Sequence, residues 1–147
     1  MTLELTQHEA DSLLAMEKHF LGIGRFTFPG LGSSLRFILH SIDKREEFNL
    51  DITRSRILLE KITFQTRARK VVVLARLDIG GAPHRNPDGE EIASPHLHLY
   101  REGYGDKWAE PLPEIFQGIR DSFLLMDTFM DYCRIVSKPT IDRGLFP

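Results

Sequence analysis

The sequence predicts an α+β fold: a mostly antiparallel sheet of about five strands, with an N-terminal and a C-terminal helix packed on it. Three observations predict it. The chain opens on a capped amphipathic segment, its middle alternates apolar and polar residues between short turns, and its last third carries a seam of apolar residues at 3–4 spacing. Its 147 residues are expected to form one domain, 1–147, long enough to enclose a core.

The opening element is predicted as a helix over residues 6–21. Thr6 can cap it and Glu9, three residues on, completes a capping box. Ala10, Leu13, Leu14, Phe20 and Leu21 form one stripe, broken only by Glu17, and Gly22 and Gly24 stop it. "GIGRFTFPGLGSS" is glycine-rich, yet it lacks the Gly-Lys-Ser/Thr of a phosphate loop. It reads as a connecting loop whose Phe26 and Phe28 fold back on the core.

Residues 33–101 are predicted as the sheet. "SLRFILHSI" is the first strand, "DKRE" a turn, and "EFNLDIT" the second, with Phe48, Leu50 and Ile52 on one side. "ILLEKITFQTRA" is the third. "KVVVLARLDI", the most apolar, is the fourth and is expected at the centre; "PHLHLY" is a short fifth. Short turns between the early strands imply antiparallel neighbours. A long hairpin loop, 80–94, joins the last two. A second helix is expected over 113–137, from the seam Leu112, Phe116, Ile119, Phe123, Met126, Met130 and Cys133. Gly118 weakens it, giving a late start or a bend near Asp121. Residues 138–147 read as a tail pinned by Leu145 and Phe146. The seam is read as core, with a homodimer through this helix as the alternative, because Phe129 and Tyr132 widen the apolar surface.

No apolar run approaches the roughly 20 residues needed to cross a bilayer, and the acidic N-terminus lacks a signal-peptide pattern. The single cysteine, Cys133, excludes an internal disulfide and a cysteine metal cluster. A cytoplasmic setting is the simplest expectation. The formal charge of −2 is unevenly spread: Arg54–Arg85 holds eight bases against two acids, net +6, while the remainder holds eleven against nineteen, net −8. That pattern fits a surface for nucleic acid or an acidic partner, or simply a solvated sheet face.

The candidate site lies in "GGAPHRNPDGEEIASPHLHLYREGYGDKW", Gly80–Trp108, which holds three of the six histidines and the one tryptophan. "NPDG" specifies a turn that stiffens the loop carrying His84. On "PHLHLY", His96, His98 and Tyr100 share one face and Leu97 and Leu99 the other, so the two imidazoles stand about 6–7 Å apart. Arg76 and Asp78 on the preceding strand share that face or oppose it. Four readings follow. A metal such as zinc, iron or nickel is held by His96 and His98 as a strand pair, with His84, Asp78 or Asp88 completing the site. RNA is cleaved without metal, with His84, His96, His98 and Tyr100 as catalytic groups and Arg76, Arg101 and Lys107 binding phosphate. A protein partner docks on Tyr104 and Trp108 beside Tyr100 and Arg101. Or the histidines hydrogen-bond the long loop and hold it.

These residues also carry a resemblance. The run reads H-x-N-P-D-G at His84 and Asn86–Gly89, then H-x-H-x-Y-x-E-G-Y at His96, His98, Tyr100 and Glu102–Tyr104. It continues as D-x-W-A-x-P-L at Asp106, Trp108, Ala109, Pro111 and Leu112. It resembles an uncharacterised family of small bacterial and prophage proteins. More distantly it is similar to toxin-type proteins of bacterial toxin–antitoxin pairs. The resemblance implies phage, mobile-element or defence biology, with RNA or a protein as partner. The leading expectation is therefore a toxin-like RNA-cleaving or RNA-binding protein that requires no cofactor. The alternatives are a non-enzymatic phage-encoded inhibitor or antitoxin-type partner, and a metal-binding domain.

Overall fold

The computed structural model describes residues 4–144 of the chain. The capping box forms: the Thr6 side chain accepts from the Glu9 amide at 3.1 Å, and Glu9 accepts from the Thr6 amide at 3.0 Å. The helix it starts, α1 (Gln7–Ala15), ends well short of the predicted 6–21. Residues 18–20 form β1 (Lys18–Phe20) instead. Tertiary packing overrides the helical stripe here, because Phe20 joins Phe26 and Phe37 in an aromatic cluster with centroids 4.9–6.0 Å apart. Lys18 beside it is fully buried, and its ammonium donates to the carbonyls of Leu14, Met16 and Cys133 at 2.7–2.9 Å.

The predicted connecting loop contains β2 (Arg25–Thr27), and Phe28 is buried as expected. The expected sheet follows as β3 (Ser34–His40), β4 (Glu47–Arg54), β5 (Ile62–Ala68) and β6 (Val72–Ile79). The 80–94 connection is not bare loop, since β7 (His84–Arg85) and β8 (Glu91–Ile92) pair across it. Next come β9 (His96–Leu99) and β10 (Ala109–Pro111).

The helix predicted over 113–137 is divided. A 3-10 turn, Glu114–Phe116, precedes Gly118, whose φ of +79° interrupts any helix there. Asp121 then caps α2 (Ser122–Tyr132), at the position where the sequence placed a bend. Beyond it β11 (Ile135–Ser137) and β12 (Thr140–Asp142) replace the end of the expected helix and the start of the expected tail. The anchors Leu145 and Phe146 lie outside the described residues.

Among the described residues the main sheet has eight strands rather than five, in the order β10-β9-β6-β5-β4-β3-β1-β11. All its pairs are antiparallel except β1 with β11. One face is the core: Phe48, Leu50, Ile52, Phe64, Leu77 and Leu97 are fully buried, and α2 covers them with Leu125, Met126 and Phe129. The apolar seam is thus core where it lies on α2. The other face carries polar side chains in register. Arg36, Asp51, Gln65, Arg76 and His98 stand opposite one another across β3, β4, β5, β6 and β9. Among the described residues no helix is long and apolar enough to cross a membrane.

Candidate metal centre

The register of β6 against β9 builds the site. Leu77 faces Leu97 on the core side, while Asp78 faces His96 and Arg76 faces His98 on the polar side. Alternation along both strands therefore delivers a carboxylate, a guanidinium and two imidazoles to one patch. His96 and His98 are 3% and 1% exposed.

The turn-stiffened loop closes over them. Gly89 takes φ +91°, its amide donates to Asn86 O at 2.8 Å, and Asp88 accepts from the Glu90 amide at 3.0 Å. Asn86 is buried and bonds both backbone groups of Ala109, donating at 2.9 Å and accepting at 2.8 Å. This latch fixes the loop to β10 and sets the His84 ring 4.5 Å from that of His98 and 5.9 Å from that of His96. His84 Nε2 lies 2.7 Å from Lys107 O.

Each buried imidazole is oriented from behind. Nδ1 of His98 meets Asp106 O at 2.8 Å, and Nδ1 of His96 meets Ala93 O at 3.3 Å. A carbonyl only accepts, so the neutral rings carry their protons on Nδ1 and turn Nε2 lone pairs inward. Both converge on Asp78 Oδ2, at 3.5 Å from His96 and 3.3 Å from His98. Asp78, His96 and His98 each offer one ligand atom within 4.8 Å of the others, so the group could hold a metal ion.

One cation is already near. Arg76 Nε and Nη2 bind Asp78 at 3.0 and 3.3 Å, Nη2 also stands 3.1 Å from His98 Nε2, and Nη1 binds Asp106 at 2.7 Å. Burial works against a charged Asp78, but a hydrogen bond from the protonated form of His98, and the Arg76 guanidinium beside it, outweigh that and hold its pKa down at about 2. For His96 burial wins over the Asp78 charge and its pKa is lowered, which keeps the ring neutral and able to ligate.

The remaining sequence candidates lie elsewhere. Tyr100 was expected on the histidine face. Instead its ring is core, and its hydroxyl donates to Leu5 O at 2.6 Å and accepts from the Leu5 amide at 2.9 Å. Arg101 stacks over Trp108 at 3.9 Å, and Tyr104 meets the same ring edge-on at 5.7 Å, so these three gather in a separate corner. Trp108 does not use its indole N–H, which is buried with no acceptor among the described residues. Of the expected phosphate ligands, Arg76 is bound to two carboxylates, Arg101 lies over Trp108, and Lys107 meets His84 through its carbonyl. Among the proposed metal ligands, His84 and Asp88 are engaged by Lys107 O and the Glu90 amide, and Asp78 is the carboxylate that reaches His96 and His98. The sequence reading missed the Asn86 latch, because Asn-Pro-Asp-Gly signals only a turn. Asp106 orients His98 through its backbone carbonyl, while its carboxylate pairs with Arg76.

Four of the eight bases in the stretch Arg54–Arg85 are paired with carboxylates. Arg67 pairs with Asp51, Arg69 with Glu9 and Glu46, Arg76 with Asp78 and Asp106, and Arg85 with Glu91.

Comparison with known proteins decides the family. The model of a family of unknown function, DUF6978, matches residues 5–135. This chain belongs to that family. The match spans both helices and the strands of the site, and it carries no toxin-type assignment. No curated protein and no solved structure matches the chain.

Proposed function

We propose that this DUF6978 protein binds one divalent transition-metal ion, of the zinc, iron or nickel group, through Asp78, His96 and His98. A distance carries the reading. Ligand atoms about 2.0–2.1 Å from a tetrahedral ion stand roughly 3.3–3.4 Å apart, and Asp78 Oδ2 lies 3.3 and 3.5 Å from the two imidazole nitrogens. The backbone carbonyls behind both Nδ1 atoms supply the orienting contacts that metal-bound histidines use. Two imidazoles and a carboxylate suit zinc and non-haem iron.

Arg76 stands where the ion's charge would go. Its Nη1 already rests on Asp106, so the guanidinium can swing towards that carboxylate as the ion enters. The burial of His96 and His98 supports holding an ion over acid–base work on an RNA phosphodiester, which must reach the reacting nitrogens. Elemental analysis of protein purified without chelators is expected to find close to one metal per chain. The His96→Ala/His98→Ala double variant should have none. Metal-free protein that also gains no thermal stability on adding zinc, iron(II) or nickel would sink the proposal.

A further inference from the structure

A second place in the fold has the composition of a ligand site and stands independently of the metal reading. At the Ile79–Gly80 end of β6 lies a cavity of about 430 Å³, with Phe28, Ile62, Ile79 and Phe123 among its apolar walls. Small-molecule sites fall at about 300–1,000 Å³. Three guanidinium side chains also line it, from Arg54, Arg120 and Arg143, against two carboxylates, Glu60 and Asp121.

One of those carboxylates is occupied. Asp121 accepts from the Phe123 and Leu124 amides and pairs with Arg143, so it neither neutralises the other arginines nor leaves those α2 amides open. Arg54 has a buried Nε with no hydrogen-bond partner among the described residues. A buried donor left unpaired is costly, and an acceptor on a ligand would remove that cost. The wall residue Leu59 belongs to the loop between β4 and β5, where Ile57 and Leu59 are 86% and 61% exposed. With Asp121 held by Arg143, Arg54 and Arg120 stand against Glu60, so the cavity keeps a net positive charge beside uncovered apolar surface.

We propose that this cavity binds an amphipathic organic anion. Arg54 and Arg120 hold a carboxylate or phosphate head, and an aryl or acyl body lies against Leu59, Ile79 and Phe28. Calorimetric titration of the whole chain with phenyl phosphate and with benzoate tests it, beside inorganic phosphate and benzyl alcohol as the separate halves. One of the two aryl anions should bind at least about tenfold more tightly than either half, and which one binds identifies the head. Arg120 is exposed, so Arg120→Gln should leave the fold intact and weaken that binding about tenfold. No heat from either aryl anion up to millimolar concentration overturns the proposal. So does inorganic phosphate binding as well as phenyl phosphate while benzoate gives no heat, or unchanged affinity in a folded Arg54→Gln/Arg120→Gln variant.

Discussion

The polar face of the sheet holds two aspartates, the buried Asp51 in β4 and the half-buried Asp78 in β6, and they are solved differently. Asp51 is surrounded by donors alone. Arg36 Nε and Arg67 Nη2 reach one oxygen at 3.1 Å each, and Gln65 Nε2 and Arg67 Nε reach the other at 2.8 and 2.6 Å. Every lone pair has a proton facing it and the charge is balanced by two guanidiniums, the half-buried Arg67 and the exposed Arg36. Asp78 has one arginine, and its other neighbours are two imidazole nitrogens that present lone pairs. The first arrangement is complete as it stands. The second gathers electron pairs around too little positive charge, which distinguishes a brace in the sheet from a site that can take a cation.

The largest expected effect separates the two directly. A ligand at a thousand times its Kd stabilises the folded state by about 4 kcal/mol. Saturating zinc should therefore raise the melting temperature of the native protein and of Asp51→Ala, and leave Asp78→Ala unmoved. An equal rise in all three would mean that the ion binds elsewhere. Next in size is the loss of the brace in the absence of metal. Removing one partner of a buried ion pair costs about 3–5 kcal/mol, but Arg36 is 71% exposed and can turn to water. Urea unfolding of Asp51→Ala should show a loss of roughly 2–3 kcal/mol, because Arg67, only 16% exposed, is left with its charge unmatched.

Acid sharpens the comparison. Both carboxylates have lowered pKa values, so both contribute stability that is present above the unfolded pKa near 3.8 and lost as the pH falls through their folded values. For Asp78, held at about 2, that contribution is on the order of 2 kcal/mol. This window cannot tell the centres apart. His96 can. Its folded pKa lies below the usual 6.5, so the unfolded chain takes up the proton first and metal-free stability declines as the pH drops below about 6.5. Urea midpoints between pH 7.5 and 5 should fall in the native protein, and His96→Gln should flatten that part of the curve. A His96→Gln profile as steep as the native one would show that the slope comes from other groups.

How much of this could be read from the chain follows the range of the interactions. The alternation of β4 and of β6 and the Thr6–Glu9 capping box are local and form as predicted, while β5 starts only at Ile62, five residues into the expected strand. His96 and His98 on one face follow from a period of two. The partner of that face depended on register, which is set by long-range pairing, so Arg76 and Asp78 could not be placed there beforehand. The failures are also non-local. Residues 18–20 and 135–137 lie far apart in sequence and form strands by pairing with each other in parallel, and a buried Lys18 ties them to Cys133 O. No helical or strand period announces such a joint. Tyr100 kept the parity of the histidines, but it lies beyond the end of β9, and its ring turned into the core to meet Leu5.

The smallest expected effect tests what Arg76 does. If it only braces Asp78 as Arg67 braces Asp51, its loss should weaken everything the centre does. If it stands in for an absent ion, its loss removes a competing charge. Arg76→Gln is then expected to tighten zinc binding by about tenfold, roughly 1.4 kcal/mol, while lowering metal-free stability, because Asp78 and Asp106 both lose their cation. Titration of the variant against a coloured zinc chelator measures the first, and urea unfolding in a strong chelator the second. Opposite signs in the two measurements identify a placeholder, and a weakening in both identifies a brace. Arg67→Gln supplies the reference: it should lower stability and leave zinc affinity where it was, since Asp51 has no nitrogen lone pair beside it to share with an ion.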